Sequence, residues 1–158
     1  MIMSNYYKIK KSDISNGDGD RVSIFFSGCD IHCTGCFNQE LWDPNAGEEY
    51  TEETFKKICS YMTKHKRGLS ILGGEPFSKY NRDTVAELCI KFKEKFPDKT
   101  IYVWSGYTES YLRGKNNSSI DIILGTADKL IDGPFVEEQR DLSLIMRGSS
   151  NQRIINLH

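Results

Sequence analysis

The most informative stretch of this sequence runs from residue 26 to residue 37 and reads Phe26-Ser27-Gly28-Cys29-Asp30-Ile31-His32-Cys33-Thr34-Gly35-Cys36-Phe37. It holds three cysteines within eight residues, Cys29, Cys33 and Cys36. Three thiolates on so short a loop can bind one inorganic centre, but iron–sulfur clusters are normally held by four cysteines. A cubane cluster bound here would keep one iron without a protein ligand. Such an open metal position is where a small molecule can bind and react.

The cysteine spacing by itself leaves three kinds of site open. The first is an iron–sulfur cluster, and Gly28 and Gly35 would let the backbone fold tightly around it. The second is a zinc site that adds His32 to the three cysteines, although the imidazole of His32 is expected to point away from a centre that Cys33 reaches. The third is a catalytic or redox cysteine, for which a C-x-x-C pair alone would be enough.

Length and composition predict one domain that spans residues 1–158, with a core of ordinary size. Lys and Arg number 21 against 22 Asp and Glu, so nothing in the charge balance indicates a nucleic acid or an anionic membrane as partner. No apolar stretch approaches the roughly 20 residues that a membrane helix needs, and the polar N-terminus resembles no signal peptide. We therefore expect a cytoplasmic protein. Five unevenly spaced cysteines favour metal binding or catalysis over disulfides.

Cys59 and Cys89 are predicted to be core residues rather than ligands. Cys59 shares a helical face with Phe55, Ile58 and Met62, and Cys89 shares one with apolar residues at the same periodic positions. A buried cysteine of this kind behaves as a small hydrophobic residue.

The predicted secondary structure alternates between strands and helices. Strands are expected at residues 21–26, 68–72, 99–104 and 129–131, with an edge strand in the first dozen residues. Helices are expected from the Thr51 N-cap to about residue 65, at 82–96 and at 120–124, with a short helix or turn after Tyr107 and a loop at 116–119. This alternation favours an α/β fold with a mostly parallel sheet and right-handed crossovers. Because an eight-unit barrel needs about 250 residues, we expect an open, partial barrel of roughly five or six strands.

A second motif, Gly73-Gly74-Glu75-Pro76, lies at the end of the next predicted strand. One predicted helix separates this strand from the cysteine loop. Without Cβ atoms, the two glycines let a ligand lie against the backbone, whose carbonyls can accept hydrogen bonds from an ammonium group. The spacing C-x3-C-x2-C before Phe37, taken with this motif, resembles the radical S-adenosylmethionine (SAM) family. In that family the second motif contacts the methionine amino group of SAM.

Further motifs narrow the resemblance to one group. From about residue 5 to the end, the chain resembles the small radical SAM activating proteins of anaerobic ribonucleoside-triphosphate reductase. The motifs that carry this resemblance are Asn16-Gly17-x-Gly19-x-Arg21-Val22, Cys36-Phe37-Asn38, Trp104-Ser105-Gly106-Tyr107, Ile131-Asp132-Gly133-Pro134-Phe135 and Arg147-Gly148-Ser149-Ser150-Asn151-Gln152-Arg153.

The resemblance implies a fold, two cofactors and a set of site residues. The fold is an open partial (β/α) barrel of the radical SAM type. The cofactors are a [4Fe-4S] cluster and SAM, whose amino and carboxylate groups chelate the fourth iron. No side chain is assigned a catalytic role, because the cofactor carries the chemistry. The implied metal ligands are Cys29, Cys33 and Cys36, and the implied SAM contacts are Gly35, Cys36, Phe37, Gly73, Gly74 and Glu75.

The resemblance also implies an activity and two partners. The reduced cluster cleaves SAM to methionine and a 5′-deoxyadenosyl radical, which generates a glycyl radical on the large subunit of the reductase. A reduced flavodoxin or a similar protein donates the electron. Residues 64–67 form a basic spot that is either a docking site for this donor or a solvated helix end. Residues 147–153 either help to dock the reductase or form a polar turn.

Two alternative functions stay open at this level. One is the activation of another glycyl-radical enzyme, of the pyruvate formate-lyase type. The other is a non-catalytic interaction module that three cysteines and zinc stabilise.

Overall fold

The protein forms an α/β structure around one seven-stranded sheet in the computed structural model, which describes residues 4–31, 39 and 42–158. The strands are β1 (Asn5–Asp13), β2 (Arg21–Phe26), β3 (Glu48–Glu49), β4 (Gly68–Gly73), β5 (Thr100–Trp104), β6 (Lys129–Asp132) and β7 (Arg153–Asn156). The α-helices are α1 (Glu52–Tyr61), α2 (Arg82–Lys95), α3 (Glu109–Gly114) and α4 (Ser118–Thr126).

The sheet is parallel at its centre and antiparallel at both edges. The strand order is β3-β1-β2-β4-β5-β6-β7, and the three pairings between β2, β4, β5 and β6 are parallel. Strand β1 pairs antiparallel with β2 and β3, and β7 pairs antiparallel with β6. The predicted α/β class with a parallel centre is confirmed. The predicted count of five or six strands is wrong, because β3 and β7 each add a short antiparallel strand at an edge.

The helices differ from the prediction at two ends. Helix α1 follows the predicted N-cap Thr51 but ends at Tyr61, because the chain then enters a turn in which the Lys66 N–H donates to the Thr63 carbonyl over 3.1 Å. The expected loop at 116–119 is wrong at its last two residues, where α4 has already begun. The Asn117 side chain caps this helix by accepting a hydrogen bond from the Ile120 N–H over 3.0 Å.

The four α-helices of the described chain pack on the same face of the sheet. Strands β2, β4, β5 and β6 are neighbours in chain order, so right-handed crossovers bring every connecting helix to one side. Alternate strand residues such as Ile24, Ile71 and Val103 point into this core and are fully buried. Cys89 is fully buried in the same core, and this burial raises the pKa of its thiol to about 12. The partly buried Cys59 packs against this core. Both cysteines therefore lie where the helical periodicity placed them.

The opposite face of the sheet carries no α-helix within the described ranges and is covered by loops and a short 3-10 helix, Glu137–Gln139. Phe25, Leu72 and Trp104 form a small apolar cluster there. The loop between β1 and β2 reaches over this face, where the Tyr102 hydroxyl donates to Asp18 over 2.7 Å. The segment before β7 covers it from the other side, and its Met146 carbonyl accepts a hydrogen bond of 2.7 Å from the Trp104 indole N–H. This face and the carboxyl ends of the strands enclose a cavity.

The longest helix in the part of the chain that the structure describes is α2, with 14 residues, and none there combines the length and apolar character needed to cross a bilayer.

Candidate functional site

A cavity of about 330 Å³ opens where the parallel strands end at their carboxyl termini. Ligand sites of open α/β sheets lie at this edge, and pockets for small molecules start at roughly this size. The first residues of the cysteine loop border the cavity, together with the second motif and parts of four further motifs, of which Asn16 represents the first. The lining residues include Cys29, Ile31, Gly73, Gly74, Glu75, Trp104, Ser105, Gly106, Gly133, Met146, Arg147, Gly148 and Gln152.

The cysteine loop leaves β2 through a turn that requires glycine. Gly28 has a φ of 98°, in the left-handed region that favours glycine. A Cβ atom at Gly28 would also lie 3.1 Å from the Pro44 side chain and 3.2 Å from Tyr80. The next residue, Cys29, is buried, and its N–H donates to the Trp42 carbonyl over 3.2 Å. The first predicted ligand is thus held at the cavity wall by its own backbone.

Direct hydrogen bonds join the cysteine loop to the Gly73-Gly74-Glu75 motif. The Gly74 N–H donates to the Phe26 carbonyl over 2.9 Å, and the Glu75 N–H donates to the Gly28 carbonyl over 2.7 Å. The buried side-chain amide of Asn81 donates to the Ser27 and Glu75 carbonyls over 2.8 and 3.1 Å, which adds a bridge between the same two segments. Sequence reasoning missed Asn81, because an asparagine directly before a helix reads as an ordinary cap.

Gly73 has a structural reason to lack a side chain besides the one expected from the sequence. Its φ is 132°, and a Cβ atom there would lie 2.2 Å from the Phe26 carbonyl oxygen of the neighbouring strand. A side chain at Gly73 would therefore separate β2 from β4 at the cavity edge. The predicted role in SAM binding stays a prediction, with this packing role beside it.

The carboxylate of Glu75 fastens the end of β4 to the turn after β5. It is fully buried and accepts hydrogen bonds from the Ser105 hydroxyl, the Gly106 N–H and the Phe77 N–H over 2.8, 2.7 and 3.0 Å. Burial raises the pKa of this carboxyl from 4.5 to about 7, while the three donors act in the opposite direction. Glu75 lines the cavity, but its described hydrogen bonds go to the protein itself.

Two contacts fix Asp30 and Ile31, the described residues that follow Cys29. The Tyr107 hydroxyl donates to the Asp30 carboxylate over 2.6 Å. Burial, and then this hydrogen bond, raise the pKa of Tyr107, so the phenol keeps its proton as the donor. The Ile31 side chain packs over Gly106, where a Cβ atom would lie 2.4 Å from the Ile31 Cδ1 atom. The glycine of the third motif therefore makes room for the cysteine loop.

The C-terminal motif, residues 147–153, is fastened to the segment after β6. Asn151 and Gln152 donate to the carbonyls of Pro134 and Gly133 over 2.8 and 3.0 Å. Arg153 forms a bidentate ion pair with the buried Asp132 over 2.6 and 3.1 Å. Arg147 and Gln152 border the cavity. The motif is thus a turn that closes one wall of the cavity, and its docking role stays a prediction.

The structure brings four of the predicted site residues to one cavity, namely Cys29, Gly73, Gly74 and Glu75. Cys33, Gly35, Cys36 and Phe37 lie outside the described residues, as does His32. Within residues 4–31, 39 and 42–158 no group of three or more His, Cys, Asp or Glu side chains is placed to hold a metal ion. Asn81 and Tyr107 hold the cysteine loop beside this cavity, and Trp104 lines it.

The basic spot at residues 64–67 is not the predicted solvated helix end, and its docking role stays a prediction. It lies beyond the end of α1, so it is no helix end, and the buried Lys66 is paired with Asp20 over 2.8 Å. It also lies at the amino end of β4, whereas the cysteine loop lies at the carboxyl end of β2. The six residues of β4 separate these two ends by about 17 Å at the usual rise per residue.

Comparison with known proteins defines the class first. The family described as "4Fe-4S single cluster domain" matches residues 15–155, which include all three cysteines of the loop and the whole cavity wall. The class is thus that of proteins with a domain for one iron–sulfur cluster.

Relatives along nearly the whole chain define the family more closely. A protein of Vibrio cholerae is 39% identical over 95% of this chain and 96% of its own length, and one of Escherichia coli K12 is 36% identical over 97% and 99%. A protein of Enterobacteria phage T4 is 34% identical over 95% and 92%. Each is named an anaerobic ribonucleoside-triphosphate reductase-activating protein. The chain belongs to this family, which confirms the resemblance seen in the motifs.

Proposed function

We propose that the chain activates anaerobic ribonucleoside-triphosphate reductase by generating a glycyl radical on its large subunit, as a radical SAM enzyme. The observation that carries this proposal is the meeting of two motifs in one cavity. Cys29 and Gly73-Gly74-Glu75 are separated by more than 40 residues of sequence, yet they line the same cavity. Two backbone hydrogen bonds, to the carbonyls of Phe26 and Gly28 just before Cys29, hold the two segments together. The names of the full-length relatives supply the target.

The donor groups around the cavity fit the proposed cofactors. A cysteine thiolate is the ligand that iron–sulfur clusters take, and the thiol of Cys29 borders the cavity. In this proposal Cys33 and Cys36 supply the other two thiolates. Backbone groups of Gly35, Cys36, Phe37 and Gly74, with Gly73 and Glu75 beside them, hold SAM. When bound, the [4Fe-4S] cluster supplies the electron that cleaves SAM into methionine and a 5′-deoxyadenosyl radical.

The described residues have three tasks in this function. Glu75, Asn81 and Tyr107 fix the cysteine loop against the strand ends through the hydrogen bonds given above. The apolar side chains of Leu72, Trp104 and Met146 give the cavity an apolar wall. Arg147 adds a cation at the cavity wall, suited to a carboxylate or another anionic group of a bound molecule.

We also propose that the chain is a single domain with an open partial barrel of the radical SAM type. The helix-free face of the sheet, meaning the face without α-helices, supports this proposal. A sheet whose consecutive parallel strands keep every helix on one side can curl so that its other face becomes an interior. The cavity lies on that helix-free side, next to the Phe25, Leu72 and Trp104 cluster. We further propose that the protein acts in the cytoplasm and that a reduced flavodoxin or a similar protein supplies the electron.

The decisive experiment combines cluster reconstitution with electron paramagnetic resonance. The anaerobic protein is loaded with iron and sulfide and incubated with SAM, a reductant and anaerobic ribonucleoside-triphosphate reductase. We expect a glycyl radical doublet on the reductase, and none when SAM is omitted. A pyruvate formate-lyase incubated in parallel should stay silent, and a doublet there instead would support the alternative activase.

Metal analysis of the same preparation tests the remaining alternative. The proposal requires about four iron and four sulfide per chain. One colourless zinc ion, without release of 5′-deoxyadenosine, would instead identify an interaction module.

A further inference from the structure

A second cavity, of about 590 Å³, lies at the amino ends of β2, β4 and β5, and the proposed function does not use it. Five cationic side chains line it, against the two carboxylates of Asp18 and Asp98. Because Lys66 is paired with Asp20 over 2.8 Å, this leaves a surplus of two positive charges in a chain whose net charge is −1. The cations are Arg21, Lys64, Lys66, Arg67 and Lys99.

The floor of this cavity holds a buried arginine whose hydrogen bonds all go to neutral acceptors. The guanidinium of Arg21 is fully buried and donates to the Ser70 and Thr100 hydroxyls and to the Leu69 and Thr100 carbonyls over 2.8 to 3.0 Å. It also stacks on the Tyr102 ring, 3.9 Å from the ring centroid. A guanidinium has five N–H donors, and the described hydrogen bonds use four of them. A buried cation of this kind favours an anion nearby.

The rim of the cavity adds cations that no carboxylate neutralises. Among the described residues, the ion pairs include none made by Lys64, Arg67 or Lys99. Lys99 is instead fixed by two backbone carbonyls, those of Thr63 and Lys66. The stem of Arg67 is held against Gly19, where a Cβ atom would lie 2.4 Å from its Cγ atom. Lys99 and Arg67 are therefore positioned by neutral contacts.

The two carboxylates do not cancel this charge. Asp18 accepts a hydrogen bond from the Tyr102 hydroxyl over 2.7 Å and lies 3.7 Å from Lys129, so its charge is shared with a lysine outside the cavity. Asp98 makes no ion pair in the described chain.

We propose that this cavity binds the phosphate chain of a small anion, a nucleoside triphosphate or an inorganic polyphosphate. Planar guanidinium groups match phosphate oxygens in pairs, and ammonium groups add point charges around them. The site is concave, so a slender phosphate chain can enter it and lie above the buried Arg21. The flat acidic surface of a protein would meet only the rim.

Calorimetric titration of the full-length, cluster-loaded protein with ATP and, separately, with inorganic tripolyphosphate tests this proposal. We expect saturable binding that weakens as salt is added, because the attraction is electrostatic. The double variant Lys64→Ala/Arg67→Ala should bind about tenfold more weakly or worse, since it removes two of the charge-assisted contacts. The matched control Lys56→Ala/Lys57→Ala removes the same charge from exposed positions on α1 and should bind as the wild type does.

Each outcome of this titration decides the proposal. Tighter binding of ATP than of tripolyphosphate would assign the site to nucleotides, and equal binding would assign it to the phosphate chain alone. Absence of binding at millimolar concentrations would overturn the proposal, as would equal weakening in the control variant. If neither phosphate compound binds but a reduced flavodoxin loses affinity in the Lys64→Ala/Arg67→Ala variant, the cavity is a protein docking site and the proposal is wrong.

Discussion

The two ends of the parallel sheet are held together by different kinds of contact. At the carboxyl ends, glycines and backbone groups bring β2, β4 and β5 together, and the fully buried carboxylate of Glu75 has three donors. At the amino ends, the buried Arg21 joins the same three strands through its side chain. The carboxyl end therefore surrounds its cavity with backbone segments, whereas the amino end is joined by a buried cation at the floor of its own cavity. Substitutions at the carboxyl end should affect the cluster site as well as stability, whereas the loss of Arg21 at the amino end should mainly reduce stability.

The largest effect is expected from Cys29→Ala at the carboxyl end. Removing one of three proposed thiolate ligands should abolish the cluster, because the loop has no spare cysteine. Iron and sulfide analysis after anaerobic reconstitution measures this, and circular dichroism should show a folded chain. The control Cys59→Ala lies in the helical layer and should keep its iron. Full iron content in Cys29→Ala would remove this cysteine from the site.

Arg21→Leu tests the amino end and should mainly reduce stability. Leucine would leave the acceptors in Ser70, Leu69 and Thr100 without their donor, at about 1–3 kcal/mol for each buried unsatisfied group. Allowing for relaxation, we expect the free energy of unfolding in urea to fall by about 3–4 kcal/mol.

The neighbouring exposed residue offers the matched control. Arg67→Leu should change the free energy of unfolding by no more than about 0.5 kcal/mol. Similar losses in the two variants would show that charge, rather than the buried hydrogen bonds, stabilises this end.

Glu75→Gln sharpens the comparison through pH. The pKa of Glu75 rises from 4.5 in the unfolded chain to about 7 in the folded protein. Between these pH values the folded state keeps a proton that the unfolded state has lost, so the stability of the wild type should fall as pH rises through this window. Glutamine does not titrate, so the variant should lack this part of the slope. Parallel slopes in urea unfolding of the two proteins would contradict the shift.

The smallest effect is expected from Tyr107→Phe. It removes the hydrogen bond to Asp30 at the start of the cysteine loop, which is worth about 0.5–1.5 kcal/mol. We expect a slightly lower free energy of unfolding and faster loss of iron to a chelator. Tyr111→Phe is the control, because its ring stacks on Tyr107 at 4.6 Å between centroids and the ring is retained. Equal rates of iron loss in both variants would mean that the Asp30 contact does not hold the loop.

Local sequence patterns predicted the parts of the fold that depend on local chemistry. Strand β2 has the predicted bounds, because a turn cluster precedes it and the glycine-containing cysteine loop follows it. The helical faces of Cys59 and Cys89 followed from periodicity alone. The predicted extension of α1 failed because polar residues continue a helical pattern without packing against anything. The start of α4 was readable in principle, since Asn117 is a favourable cap.

Contacts between distant segments could not be predicted in this way. Strand β3 has two residues and exists because it pairs with β1 more than 40 residues away. Arginine is usually exposed, so the local sequence around Arg21 does not predict that its buried side chain joins three strands. The contacts of Asn81 and Glu75 were equally unpredictable, because their partners lie in loops that only the sheet order brings together. The sequence motifs predicted where the site lies, whereas the contacts that stabilise it became visible only in the folded structure.

Both tryptophans of the chain lie at the carboxyl end of the sheet. Trp42 receives the backbone hydrogen bond of Cys29, and Trp104 lines the cavity while its indole is bound to the Met146 carbonyl. Indole emission is therefore a built-in optical probe of this end, which should dim when a coloured iron–sulfur centre is assembled nearby. Anions that enter the distant basic cavity should leave the emission spectrum almost unchanged, so a single fluorimeter trace can tell the two events apart.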